Sequence, residues 1–230
     1  MRALARPTGT VESVPTRKYL LTVPLSAALL FLLLARWVLA GESMPFDLWL
    51  RGAVHDWASP LATRALLAVT MLGSEWVLLP LGAVLVWRLA TIGRERQAIL
   101  FAIVSLAAEL VSHWLKFVLH RPRPAVFFGL SPAETYSFPS GHAFVGTVFY
   151  GFLAAILMTF ERSRRKRRRI AAAAVLMAFL IGFSRVYLGY HYPSDVLGGW
   201  ACAAAWLALA RLALTGAPVD AAGQPQEQRH

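Results

Sequence analysis

One cysteine in 230 residues, Cys202, leaves no disulfide framework and no cysteine-based metal site. It lies inside an apolar run and does not identify a redox compartment. Acidic residues are also few: twelve, against 23 lysines and arginines. Magnesium or calcium would require several converging carboxylates, and the connections on the side that carries the motifs below offer only Glu42, Asp47, Asp56, Glu134 and scattered partners. No metal or other cofactor is therefore expected. The chain has no internal repeat, which counts against a transporter built from paired halves. Charged residues of both signs make up only 15% of the chain, too little for an ordinary soluble domain.

Hydrocarbon takes their place. The chain is 57% hydrophobic with a mean hydropathy of +0.54. Apolar runs near the length of a bilayer crossing cover Leu20–Ala40, Leu61–Ala90, Ala98–Leu119, Ala143–Phe160, Ile170–Tyr190 and Val196–Leu214. The second is overlong and broken at Gly73-Ser74-Glu75. The first is too long for the apolar core of a signal peptide and reads as a retained helix. The expected fold is all-α: a polytopic bundle of about six transmembrane helices over residues 19–214, with tails at 1–18 and 215–230.

The net charge of +11 has a topological reading. Basic residues concentrate in Arg2, Arg6, Arg17 and Lys18, in Arg88, Arg94 and Arg96, and in the block Arg162–Arg169. In a six-helix layout these segments share one side, which the positive-inside bias makes cytoplasmic. The expected partners are the bilayer and its anionic headgroups rather than nucleic acid. Both termini are then cytoplasmic, in a plasma (inner) membrane, and the connections at 41–60, 120–140 and 190–195 face the periplasm or exterior. Within 41–60, Phe46, Trp49 and Trp57 predict a short interfacial helix acting as a lid or anchor.

Three polar clusters fall at those outer helix ends. Lys116 precedes Arg123-Pro124 by seven positions, and a lysine point charge beside a forked arginine suits phosphate oxygens. Lys116 alone also reads as a snorkelling anchor. Ser140-Gly141-His142 follows Pro139 and opens an apolar helix, whose free amides form an anion site with Ser140 as a further donor. His142 is placed there to protonate a leaving oxygen; the plainer alternative is a serine cap. Arg185 follows Ser184, and His191 and Asp195 stand four apart. One helical turn brings that carboxylate to the imidazole, fixing its tautomer and leaving the other nitrogen nucleophilic, or makes a purely structural pair.

In this order the three blocks, Lys-x6-Arg-Pro, Pro-Ser-Gly-His and Ser-Arg-x5-His-x3-Asp, resemble the signature of the type-2 phosphatidic acid phosphatase superfamily. All three are complete and span residues 116–195. The resemblance implies a helical core and metal-independent phosphoester cleavage through a phosphohistidine. It assigns phosphate binding to Lys116, Arg123, Ser140, Gly141 and Arg185, the leaving-group acid to His142, the nucleophile to His191 and its orientation to Asp195. The implied substrates are lipid mono- or diphosphates such as undecaprenyl diphosphate, phosphatidylglycerol phosphate or phosphatidic acid. The alternatives are a phosphotransferase using the same intermediate and, from another class, a transporter using the intramembrane charges. Glu109 and His113 share a helix face with Lys116 and are expected to support it or to relay protons. His120 and Arg121 adjoin the first cluster within reach of substrate, whereas His55 and Glu134 are expected to be solvated.

Overall fold

The computed structural model describes residues 17–215. The tails expected over 1–18 and 215–230 lie outside these residues, apart from Arg17, Lys18 and Thr215. Eight α-helices follow in order: α1 (Arg17–Leu39), α2 (Met44–His55), α3 (Pro60–Met71), α4 (Glu75–Thr91), α5 (Glu95–Leu119), α6 (Gly141–Phe160), α7 (Arg164–Tyr187) and α8 (Pro193–Thr215). No strand occurs among the described residues. The all-α, membrane-embedded bundle is as the apolar runs predict.

Four described helices, α1, α5, α6 and α7, are each long and apolar enough to cross a bilayer. Helices α3 and α4 supply a fifth crossing as a pair bent by 45°. Their break falls at Leu72–Ser74, one residue ahead of the expected Gly73-Ser74-Glu75, with Glu75 already opening α4. A side chain at Gly73 would come within 2.6 Å of Ile181 Cγ2 and 3.2 Å of His142 Cδ2, so only glycine lets the break lie this close to α6 and α7. The sixth expected run forms α8, 23 residues and roughly 35 Å long.

Helix α6 is the axis of the bundle and packs against α5, α7 and α8. Its Phe144, Val148, Phe149 and Phe152 are buried with Phe101 and Ala108 of α5 and Ala203 of α8. Around this core Leu25, Leu29, Leu32, Ile99, Leu110, Val175 and Leu176 point outward. A belt of exposed leucine and isoleucine is unfavourable in water and natural against lipid tails.

Two local expectations change. Helix α7 starts at Arg164, inside the arginine-rich block and ahead of the apolar run that opens at Ile170, because Ser163 accepts from Lys166 N and Arg and Lys propagate helix well. His55 is not free in solvent: its ring stacks on Phe127 at 3.9 Å. Helix α2 forms as expected, with Leu48 and Trp49 exposed and Asp47 wholly buried.

Candidate active site

The three clusters meet at one end of the bundle. Lys116 lies in the last turn of α5, Arg123 in the connection that follows, Gly141 and His142 at the start of α6, and Arg185 in the last turn of α7. His191 lies between α7 and α8, with Asp195 in the first turn of α8. Backbone bonds clamp these pieces: Ser140 N donates to Asp195 O at 3.0 Å, His191 N to Arg185 O at 3.2 Å and Ser137 N to Arg121 O at 2.8 Å.

A cavity of about 620 Å³ is lined by Lys116, Arg123, Gly141, His142, Arg185 and His191. It continues between α4 and α5 along Trp76, Leu79, Ala83, Val86, Phe101 and Leu106. Ser140 and Asp195 stand behind this lining and are fully buried. Lys116 packs against the α-carbon of Gly141, where a side chain would lie 3.1 Å from both Lys116 Nζ and Ser112 Oγ.

His191 has its two ring nitrogens in different surroundings. Nδ1 lies 3.3 Å from Asp195 Oδ2 and 3.4 Å from Ser137 Oγ, while Nε2 lies 3.1 Å from Arg123 Nη1. Because arginine only donates, these partners assign the proton to Nδ1 and the lone pair to Nε2. Burial, followed by the positive charge of Arg123, Arg185 and Lys116, pushes the imidazole well below its usual range. Arg123 is pinned by Nε to Thr135 O at 2.6 Å, Nη1 to Tyr190 O at 2.9 Å and Nη2 to Thr135 Oγ1 at 2.8 Å. Arg185 donates from Nη1 to Thr70 Oγ1 at 2.8 Å and stacks 4.1 Å over Tyr190. Two buried atoms here, Arg185 Nε and Ser140 Oγ, have no protein partner. Ser140 therefore does not act as a side-chain cap for α6.

Asp195 is supported from behind by residues outside the expected site. Its Oδ2 accepts from Ser137 Oγ at 2.5 Å and Tyr192 N at 2.8 Å, and its Oδ1 accepts from Arg121 Nη1 at 2.5 Å. Arg121 is thus turned away from the cavity and buried. Its Nη2 donates to Asp47 Oδ2 at 2.6 Å and Ser43 Oγ at 3.2 Å, its Nη1 also reaches Ser194 Oγ at 2.8 Å, and the guanidinium sits 4.3 Å over Tyr192. Asp47 Oδ1 in turn accepts from Ser194 N at 2.8 Å. The only sequence signal was the extra arginine inside the first block.

Glu109 and His113 line the same cavity and pair with each other at 3.3 Å. Among the described residues neither forms an ion pair with Lys116, and Glu109 acts on that lysine through space, carboxylate to ammonium. No three His, Cys, Asp or Glu side chains are grouped for a metal ion among the described residues.

Comparison with known proteins finds relatives over most of the chain. The family model of the PAP2 superfamily matches residues 97–216. The chain is 30% identical over 178 residues to phosphatidylglycerophosphatase B of Bacillus subtilis (strain 168), covering 77% of this chain and 87% of that protein. It is 36% identical over 111 residues to the undecaprenyl-diphosphatase BcrC of the same organism, covering 46% of this chain and 52% of that one. The crystal structure of a transmembrane PAP2-type phosphatidylglycerolphosphate phosphatase from Bacillus subtilis superimposes with a TM-score of 0.73 at 29% identity, over 82% of this chain and 94% of that one.

Proposed function

Because this chain belongs to the PAP2 superfamily and is a membrane lipid phosphatase, we propose that it cleaves the terminal phosphate of a lipid mono- or diphosphate through a phosphohistidine on His191. The observation that carries the reading is the lone pair of His191 Nε2, set among Lys116, Arg123 and Arg185 in a cavity that continues between apolar helices. Amphiphilic substrates with a phosphorylated head fit that shape: the head meets the cations and the tail follows the wall of α4 and α5. The partnerless Arg185 Nε and Ser140 Oγ are natural donors to phosphoryl oxygens, since buried polar groups are otherwise nearly always paired.

In the first step Nε2 attacks phosphorus, the N–P bond forms, and the P–O bond to the lipid breaks. His142 gives its proton to the departing oxygen. Asp195 accepts from Nδ1–H throughout and stabilises the charge that develops on the ring. Water then attacks phosphorus, returns a proton to His142 and releases orthophosphate with neutral His191. Charge on the transferring group is met by Lys116, Arg123, Arg185 and the amides at the start of α6, an electrostatic role that needs no metal ion.

Residues 19–214 then form one phosphatase domain in the plasma (inner) membrane. The basic ends of α4, α5 and α7 face the cytoplasm with both termini, and the cavity opens on the periplasmic or extracellular side. Phosphate release by the purified protein from undecaprenyl diphosphate, phosphatidylglycerol phosphate and phosphatidic acid, with and without EDTA, tests the reading. Release from none of them overturns it. Loss of release in EDTA, restored by magnesium, overturns the metal-independent mechanism.

A further inference from the structure

Asp47 and Arg121 are the most completely bonded charges outside the phosphate-facing set. Both are buried, yet neither lines the cavity. A buried arginine between two carboxylates is costly to assemble, and a bundle of this size could fill the same volume with hydrocarbon at little loss of stability. The arrangement is also directional. One guanidinium nitrogen takes Asp47 of α2, the other takes Asp195 Oδ1, and Asp195 Oδ2 is left facing His191 Nδ1. Ser194, next to Asp195, is held to Asp47 through both its backbone N–H and its hydroxyl, at 2.8 and 2.7 Å. Helix α2, with Leu48 and Trp49 on its outer side, is thereby fastened to the residue behind the nucleophile.

We propose that Arg121, anchored by Asp47, is a positioning residue that orients the Asp195 carboxylate toward His191 and sets the charge His191 experiences. This rests on the phosphatase reading above for its kinetic consequences, but not for its electrostatic ones. Arg121 brings one positive charge to the back of Asp195, and Asp47 offsets part of it. The other charged or titratable groups around His191 are Asp195, Arg123, Arg185, Lys116 and His142.

Three variants test this. Asp47→Asn keeps the size of the side chain but removes the offsetting charge, so His191 titrates at lower pH than in wild type. Arg121→Gln removes the positive charge, so His191 titrates at higher pH. Arg121→Lys keeps the charge but loses the fork, leaving the titration near wild type. Arg121→Gln and Arg121→Lys each lower kcat about ten- to hundredfold with KM within about twofold, the scale expected when a reacting group is misplaced by about an ångström.

Titration of the His191 imidazole by NMR needs no turnover, and kcat and KM are read separately. If Arg121→Gln does not fold, Asp47→Asn still decides the direction of the shift. Opposite shifts for Asp47→Asn and Arg121→Gln, or a downward shift for Asp47→Asn alone, support the proposal. An unmoved His191 titration, or variants whose only defect is a smaller folded fraction of full specific activity, overturns it. A wild-type protein that releases no phosphate from any lipid sinks the phosphatase reading instead, and the titration still judges the role of Arg121.

Discussion

Arg123 Nη1 and His191 Nε2 stand 3.1 Å apart, so a cation proposed to receive the phosphate also holds the lone pair proposed to attack it. A phosphoryl group entering the cavity must take over that donor. Its oxygens then occupy the direction from which the guanidinium now approaches the ring, and Nε2 is freed toward phosphorus. Binding and activation are one movement in such a site.

This geometry gives arginine a role that charge alone does not fill. Arg123 makes four hydrogen bonds through three nitrogens, and Arg185 combines a bond to Thr70 with stacking on Tyr190. Lysine offers one ammonium and no planar fork. Arg123→Lys and Arg185→Lys are each expected to lower kcat by about 10²–10³, the usual cost of one oriented donor to a transition-state oxyanion. Vanadate, which adopts the five-coordinate shape of in-line transfer, is expected to compete with substrate. Steady-state kinetics on both variants and a vanadate titration check this; full kcat in both lysine variants would show that these arginines do not hold the phosphoryl group.

Replacing His191 removes the proposed nucleophile. His191→Gln is chosen because the ring is fully buried against Asp195, and glutamine keeps an amide donor there. Turnover should fall by roughly 10⁴-fold or more, as when a nucleophile is deleted from a site that works as a unit. Rapid quench with labelled substrate should trap an acid-labile phosphoryl group on wild-type protein and none on His191→Gln. Labelling that persists in the variant would place the nucleophile elsewhere.

Acidity gives a third test, with a definite sign. Burial and then the positive charge of Arg123, Arg185 and Lys116 disfavour the imidazolium and hold the His191 ring well below the ordinary histidine range near 6.5. The ring therefore stays neutral and nucleophilic as pH falls through 6.5, and the acid limb of kcat/KM that it governs lies below that value. In the unfolded chain the same histidine takes up a proton near 6.5. The stability contributed by the neutral buried ring is thus present above 6.5 and lost as pH falls toward the folded value. A pH–rate profile and thermal melts between pH 4 and 8 check both statements; an acid limb above pH 6.5 contradicts the first.

Glu109 offers a test of lipid choice. It lines the cavity with Glu75 and His113, roughly 10 Å along α5 from Lys116 at 1.5 Å per residue. A second phosphate displaced toward this stretch meets two carboxylates and one imidazole. Glu109→Leu is expected to lower KM about three- to tenfold for a lipid diphosphate and to change it less than twofold for phosphatidic acid, since an interaction of about 1 kcal/mol separates the two heads. Parallel KM measurements on the two lipids decide it, and equal changes for both would remove Glu109 from any role in selection.

The legible part of this protein was local in sequence. Lys116 to Arg123, Ser140 to His142 and Arg185 to Asp195 are short segments whose spacing and helix ends bring side chains together without distant help. The break at Leu72–Ser74 could also be read, because glycine and a glutamate interrupt an overlong apolar run. Asp47, Arg121 and Ser137 could not be read in this way. Asp47 looked like one more interfacial charge, and the partner that buries it is 74 positions away. No periodicity reports a side-chain pair between a short surface helix and a connecting loop. The basic block that begins α7 is a different case: its charge reads as a topological signal, while the helical propensity of its arginines and lysine carries α7 back to Arg164.

The backbone bonds from Ser140 to Asp195, His191 to Arg185 and Ser137 to Arg121 use no side-chain atom. The frame that carries the reactive groups is therefore insensitive to which side chains line the walls of α4 and α5. Exposed wall positions such as Trp76, Leu79 and Leu106 can be rewritten one by one, with the tail or head they accept changing and the frame undisturbed. Such a division lets one bundle be adapted to new lipids by small steps, each of which leaves a working catalyst.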